Sequence, residues 1–429
     1  MADAALRLKS LLEQLLGSEL PVRIRAWDGS QAGPPGAPAL VVRNRRAVRR
    51  LLWRPGELGL ARAWVAGDLE IEGDFYGALA LLSGLVWEGD DTRSGFRILR
   101  DARTRAALFG LVRLGGLPLP PAPPREEIRR ARRHLHTRRS DKRAISHHYD
   151  VGNGFYELVL GPSMVYSCAY WPDPDATLEQ AQHDKLDLVC RKLALRPGQR
   201  LLDVGCGWGS MAIHAAREYG VSVVGITLSH EQAAYARKRV ADAGLTDRIE
   251  IRVQDYRDVA DGPYDAISSI GMAEHVGSEK YLEYAQDLYR LLVPGGRLLN
   301  HQIARRPMSD ESAYDLDEFI DAYVFPDGEL APLGTTVTQL ERAGFEVRDV
   351  ESIREHYAQT LRRWVTNLES GWQRAVRLTG PGRARVWRLY MAACALGFER
   401  NQLGVNQVLA VRTPESGVSG LPLRARTWN

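Results

Sequence analysis

Leu201-Leu202-Asp203-Val204-Gly205-Cys206-Gly207-Trp208-Gly209 is an apolar run closed by three alternating glycines. Glycine lets the backbone approach a ligand with no Cβ in the way and accepts positive φ. A turn of this kind at the end of a strand in an open α/β sheet lies where such sheets bind ligands. The spacing Gly-x-Gly-x-Gly is neither the dinucleotide-binding nor the phosphate-cradling pattern, and its acid, Asp203, precedes the glycines, which suits a cationic ligand better than a pyrophosphate. A tight strand-to-helix connection with no ligand looks the same. Three further stretches are rich in reactive side chains. The first pairs Ile145-Ser146-His147-His148-Tyr149-Asp150-Val151-Gly152-Asn153 with Met164-Val165-Tyr166-Ser167-Cys168-Ala169-Tyr170-Trp171. The others are Gly271-Met272-Ala273-Glu274-His275-Val276-Gly277 and His301-Gln302-Ile303.

The elements that must position these groups follow from the pattern. From Arg200 onward, short β-branched runs alternate with helical stretches, the signature of a parallel sheet covered on both faces. Strands are expected at Arg200–Val204, Ser222–Ile226, Ile249–Val253, Tyr264–Ile270, Gly296–Ile303, Phe345–Val350 and Val405–Val411. Helices are expected at Ser210–Tyr219, His230–Ala243 and Glu279–Leu292, with Pro294-Gly295-Gly296 turning the last into a strand. Ahead of this lies a smaller mixed α/β module, with strands at Pro21–Trp27 and Ala39–Arg43 and helices at Phe75–Val86 and Phe96–Val112. A proline cluster, Pro118, Pro120, Pro121, Pro123 and Pro124, followed by the basic run Arg125–Arg143, reads as a stiff linker. The division expected is therefore a module at 1–117, a linker at 118–143 and a catalytic domain at 144–429.

Composition narrows the class. At 429 residues, 45% hydrophobic and 26% charged, the chain is an ordinary globular protein of two or three domains. The uncharged apolar stretch between Asp74 and Glu88 holds 13 residues, short of the ~20 that span a bilayer. With no secretory signal at Met1–Ser18, a cytoplasmic protein is expected. Cys168, Cys190, Cys206 and Cys394 have neither metal-ligand nor disulfide spacing, so free thiols and no metal are expected. The net charge of +4 conceals an asymmetry: residues 1–143 hold 26 Lys and Arg against 16 Asp and Glu. Such a basic run is a solvated helix face, a grip on an anionic membrane surface or a grip on nucleic acid, and composition alone does not choose.

The glycine stretch resembles motif I of S-adenosylmethionine-dependent methyltransferases. In those enzymes Thr227-Leu228-Ser229, with Gln232 a turn later, stands where an acid usually meets the ribose, so this chain departs from the general pattern there. Gln254-Asp255-Tyr256 falls where a carboxylate or amide meets the adenine edge. All the motifs together, from about residue 145 to 411 and more weakly before it, resemble the cyclopropane-fatty-acyl-phospholipid synthase family. That resemblance implies a class I methyltransferase fold, a Rossmann-like seven-stranded mostly parallel sheet. It also implies methyl transfer to a cis double bond in a phospholipid acyl chain, and a carbocation that loses a proton to bound bicarbonate to close a cyclopropane ring.

Carried over position by position, the bicarbonate ligands would be Cys168, Glu274, His301, the backbone of Ile303, and Tyr357 in His356-Tyr357-Ala358-Gln359-Thr360. Cys, His and Tyr donate hydrogen bonds to a small anion, and Glu274 would orient His301 or take the anion's proton. Taken singly, each also fits a structural role: Cys168 a small core residue, His301 a satisfied core histidine, Glu274 a capping carboxylate, Tyr357 a packing aromatic. Tyr166 and Ser167 would meet the methionine end of the cofactor, with Asp203, Gly205, Gly207, Gly209, Thr227, Ser229, Gln232, Asp255 and Tyr256 completing its pocket. Tyr149, Phe155, Tyr170 and Trp171 are the aromatic candidates for steadying a cation. Ala273 stands where relatives carry a bulky Phe, which opens the alternative of a 10-methylene chain instead of a ring. The partners implied are phospholipid acyl chains at an anionic membrane, not nucleic acid, with peripheral attachment to the inner face. A homodimer is expected by resemblance alone.

Overall fold

The β-branched runs of the second half do become strands, in the order of a doubly wound sheet. A computed structural model describes residues 3–87, 102–115, 119–128, 151–311, 314, 317–326, 328–423 and 428. Tyr149, the 145–150 stretch, Pro118, residues 96–101 and most of the basic run lie outside the described residues. The chain divides into two compact units.

The first unit gathers Met1–Arg129, Asp317–Val324 and Gly380–Leu396. Its sheet holds β1 (Arg23–Arg25), β2 (Gln31–Ala32), β3 (Ala39–Val42) and β4 (Leu69–Glu72) in the order β2-β1-β3-β4. The expected strands at Pro21–Trp27 and Ala39–Arg43 are present in shorter form. The apolar helix spans Phe75–Trp87, and the next described helix is Ala102–Gly115. Residues from near 390 join this unit through Arg385. Its guanidinium lies 4.3 Å from the Trp64 ring and donates to the Trp64 and Leu69 carbonyls and to Glu70, and Trp64 Nε1 donates back to the Arg385 carbonyl at 2.9 Å.

The second unit gathers Arg130–Leu316, Phe325–Thr379 and Gly397–Asn429. Its strands are β5 (Arg200–Val204), β6 (Ser222–Thr227), β7 (Ile249–Val253), β8 (Tyr264–Ile270), β9 (Leu292–Arg305), β10 (Glu346–Ser352) and β11 (Leu403–Val411). They lie in the order β10-β11-β9-β8-β5-β6-β7, with β11 antiparallel to both neighbours and the other pairs parallel. This is the class I methyltransferase sheet. Central strands such as β5 are apolar on both faces because helices cover both; Leu201 and Leu202 point into opposite cores.

One expectation changes at β9. Pro294-Gly295-Gly296 does not precede the strand but sits inside it: Tyr264 pairs with Leu292 and Ala266 with Arg297, so residues 293–296 bulge out of register. Gly295 supplies the positive φ, +84°, that the bulge needs.

Candidate active site

The order of strands reverses at β5, with β6 on one side and β8 on the other, and a cavity opens at the carboxyl ends of these strands, as expected for an open α/β sheet. β5 ends at Val204, and Gly205 and Cys206 both donate to the Ile226 carbonyl of β6, at 3.0 and 2.9 Å. Gly205 takes φ +78°, a conformation that a side chain would strain, and a Cβ there would meet Met272 at 3.5 Å. The turn therefore presents bare backbone to the cavity.

Of the residues expected to hold the cofactor, Tyr166, Ser167, Asp203, Gly205, Gly207, Thr227, Gln232, Asp255 and Tyr256 line this cavity. Gly209 and Ser229 do not. Gly209 (φ +81°) caps the Ser210–Tyr219 helix, where a Cβ would press on Ala236 at 3.2 Å. Ser229 caps the His230–Asp242 helix by accepting from the Gln232 amide. The Thr227 hydroxyl donates to Gln232 Oε1 at 2.8 Å, so these two close the second-strand turn where an acid was missed. Asp255 caps the short turn after β7 and holds Arg257 through Nε at 2.8 Å and Nη2 at 2.6 Å.

Asp203 is buried, and Ser268 donates to its Oδ1 at 2.8 Å while Oδ2 has no partner among the described residues. Burial raises its pKa to about 6, against the lowering pull of the Ser268 bond and Lys185. A buried carboxylate oxygen with nothing to accept calls for a donor from a guest, which fits a ligand bearing an ammonium group.

The proposed base ligands fall into two groups. β8 stops at Ile270 opposite His301, and the chain turns away at Gly271, whose amide donates to the His301 carbonyl at 2.9 Å. The next amide on that edge of β9, that of Ile303, is left without a strand partner and donates instead to Glu274 Oε1 at 2.8 Å. Among the described residues Glu274 Oε2 and His301 Nε2 are both buried without a partner, while His301 Nδ1 faces Gln407 at 3.3 Å. Burial raises Glu274 to about 7, moderated by the Ile303 bond, and holds His301 well below 6.5, helped by Lys185 and Lys192. His301 is thus a neutral imidazole. The second group is set by the Arg354–Ser370 helix: the Cys168 thiol, its pKa pushed up by burial, donates to the Ala169 carbonyl at 3.1 Å and the Ile353 carbonyl at 3.6 Å. Tyr357 is buried against Phe398 and Trp364, with ring centroids 4.7 and 6.0 Å apart.

An aromatic wall runs from one group to the cofactor cavity: Tyr357 to Trp364, Trp364 to Tyr166 at 5.3 Å, Tyr166 to Tyr156 at 5.7 Å, and Tyr156 to Trp208 at 4.7 Å. Phe155 is fully buried edge-on to Tyr156. Tyr170 and Trp171 are spent on structure. Tyr170 stacks on His356 at 4.9 Å, while Trp171 donates from its backbone to His356 Nδ1 and from Nε1 to Thr360 Oγ1. Ala273 is buried beside a small cleft shared with Glu274, Tyr281 and Ile303. Sequence reasoning passed over Lys185, which lines the cofactor cavity and is buried. The signal was present: in the Leu178–Leu193 helix, Gln182, Lys185 and Lys192 occupy the same stripe as Ala181, Leu186 and Val189, polar groups on an apolar face.

Residues 136–408 match the family model described as mycolic acid cyclopropane synthetase. The chain belongs to this family. A probable fatty acid methyltransferase of Mycobacterium tuberculosis is 46% identical, covering 99% of each chain. The cyclopropane-fatty-acyl-phospholipid synthase of Escherichia coli K12 is 37% identical over 68% of this chain and 75% of its own. The solved mycolic acid cyclopropane synthase CmaA1, complexed with SAH and CTAB, superposes with a TM-score of 0.60 at 34% identity, covering 63% of this chain and 98% of its own. As a member of the cyclopropane synthase family, the protein is an S-adenosylmethionine-dependent lipid methyltransferase.

Proposed function

We propose that this enzyme alkylates the cis double bond of an unsaturated acyl chain in a phospholipid, and that a cyclopropane is its product. The observation that carries this reading is the pair of buried atoms, Glu274 Oε2 and His301 Nε2, without a hydrogen-bond partner among the described residues, in the family's base positions. Polar atoms stranded in this way call for a small polar guest, and bicarbonate fits them. Cys168, Glu274, His301 and Tyr357 would hold it, with the Ile303 amide shared with Glu274; when bound, it supplies a base for the proton lost on ring closure. S-adenosylmethionine, in the cavity at the ends of β5, β6 and β8, supplies an electrophilic methyl.

The protein's own share is placement and dryness. An alkene is a weak nucleophile, so its reaction depends on near-attack geometry and exclusion of water. The aromatic wall from Trp208 to Phe398 presents π faces suited to a transient cation. Neutral His301 has a ring N–H to offer an anion, and the Cys168 thiol, which donates to the Ala169 carbonyl, would turn its hydrogen to the anion when it is bound.

A second reading is favoured by the name of the M. tuberculosis relative, a fatty acid methyltransferase rather than a cyclopropane synthase: methylation with proton loss from a neighbouring carbon, leaving a 10-methylene chain, with Ala273 giving the room. In either case the basic first third, with exposed Leu6, Trp53, Phe109 and Leu119 in the same unit, would dock on anionic headgroups, each basic residue contributing about 1 kcal/mol. The deciding experiment incubates the protein with methyl-labelled S-adenosylmethionine and oleoyl phospholipid vesicles and reads the released fatty acids by proton NMR. Cyclopropane signals support the first reading, vinylidene signals the second, and no transfer refutes both. Substituting Cys168, Glu274 or His301 should cut turnover while sparing cofactor affinity, with added bicarbonate restoring part of it; unchanged turnover in all three refutes the base assignment.

A further inference from the structure

At the β10 edge of the second unit's sheet, away from the cofactor turn, another cleft opens where β9 and β10 end and β11 begins, and the first turn of the Leu333–Arg342 helix closes it. Asn406 stands in its wall. It pairs across the sheet with Gln302 of β9 and Ser352 of β10, so the three side chains share one face. Gln302 is spent there, its Nε2 donating to Thr336 Oγ1 at 2.7 Å and its Oε1 accepting from Tyr281 at 2.6 Å. The Asn406 carboxamide forms no hydrogen bond among the described residues, although the residue is only 4% exposed. A Cβ at Gly404 would stand 3.8 Å from Asn406 Nδ2, so the glycine leaves that nitrogen open to the cleft. A buried amide without a partner is costly unless a guest completes it.

The other walls supply donors and positive charge. The Leu333–Arg342 helix has no side-chain cap, and the Gly334 amide in its first turn meets no acceptor among the described residues, where the helix dipole adds partial positive charge. Of the cleft's three arginines, Arg305 is held by Glu311 and the Leu330 carbonyl, and Arg354 by Glu355 and the Phe398 and Glu399 carbonyls. Arg306 is exposed and its guanidinium has no such partner among the described residues. Glu311, the acid on the wall, is already committed to Arg305. A cation or an apolar guest would leave these donors unserved. We propose that the cleft binds a phosphate group, with Asn406 and the Gly334 amide as neutral donors and Arg306 as the charge. Its source is the phosphodiester of a lipid or free phosphate. Arg306 follows Ile303 by three residues, about 10 Å of extended chain, which keeps a headgroup held here within an acyl chain's reach of Glu274 and His301. The lipid source rests on the reading of the enzyme as one that acts on phospholipid; the site itself does not.

The test titrates the full-length protein by calorimetry with inorganic phosphate and, separately, with dihexanoyl phosphatidylglycerol kept below its micelle concentration. That lipid carries a phosphodiester and no double bond, so the readout is independent of methyl transfer. A protein that binds phosphate here yet methylates no oleoyl phospholipid refutes the proposed reaction and leaves this site standing. Arg306→Gln should weaken the ligand that binds roughly 10-fold and Asn406→Leu about 3–10-fold, while Arg217→Gln, at an exposed position on the Ser210–Tyr219 helix, should change it less than about twofold. Binding of the lipid, with or without inorganic phosphate, names a headgroup as the source; binding of inorganic phosphate alone names the free ion. No binding of either ligand by the unaltered protein, or equal losses in Arg306→Gln and Arg217→Gln, overturns the site. Because Arg306 is exposed, its variant decides the matter even where Asn406→Leu fails to fold: unchanged affinity in Arg306→Gln also overturns it.

Discussion

Glu274→Gln should make the cofactor-free protein more stable at pH 8 than at pH 5 relative to the parent. Glu274 is buried, and its pKa stands at about 7 against a usual 4.5. Since the folded state holds the proton more tightly than the unfolded chain, folding is favoured at low pH. That advantage drains away as pH rises from 4.5 to 7 and is fully lost above. A shift of this size, at 1.36 kcal/mol per unit, amounts to a destabilisation of about 3 kcal/mol at pH 8 and about 1 kcal/mol at pH 5. Glutamine keeps an oxygen for the Ile303 amide but never ionises, so it escapes the cost. For a unit of this size about 1 kcal/mol moves the melting temperature by roughly 2–4 °C. The variant's melting temperature minus the parent's should therefore rise by about 4–8 °C between pH 5 and pH 8, read by calorimetry. A difference that stays flat with pH would refute the assignment of a buried, ionising Glu274.

Two other substitutions probe what holds the site. Gly205→Val forces a β-branched residue to φ +78° in the cavity wall; S-adenosylhomocysteine binding should disappear in titration calorimetry, with a stability loss of about 1–3 kcal/mol and an unchanged far-ultraviolet circular dichroism spectrum. Thr360→Val removes the oxygen that accepts from the Ala169 amide at 3.1 Å and Trp171 Nε1 at 3.0 Å. Two buried donors left unsatisfied should cost about 2–4 kcal/mol in denaturant unfolding, and Thr360→Ser should recover most of it.

The sheet of the catalytic unit was legible because its signals are local. β5, β7 and β8 fall within their expected limits, since a short β-branched run bounded by turn residues needs no distant contact to declare itself. The first unit was harder. β4 and the helices Arg45–Trp53 and Glu57–Val65 are short, while Ala4–Leu16, capped by Asp3 and Gly17, and Arg45–Trp53, capped by Asn44, carry local signals that the reading passed over. Nor does any pattern near Arg385 announce that it will sit against Trp64, because that contact joins residues more than three hundred positions apart.

The sequence by itself determined the cofactor turn, because backbone freedom at glycine is a property of single residues, whereas the proposed base set came only through the family resemblance. Tertiary structure alone decided how those residues are spent. It turned Trp171 into a brace for Thr360, gave the Ile303 amide to Glu274, and brought Lys185 and Asp203 to the lining of one cavity. The reason is physical: a hydrogen bond or an unpaired buried charge exists only once distant segments have met and water has been excluded from between them.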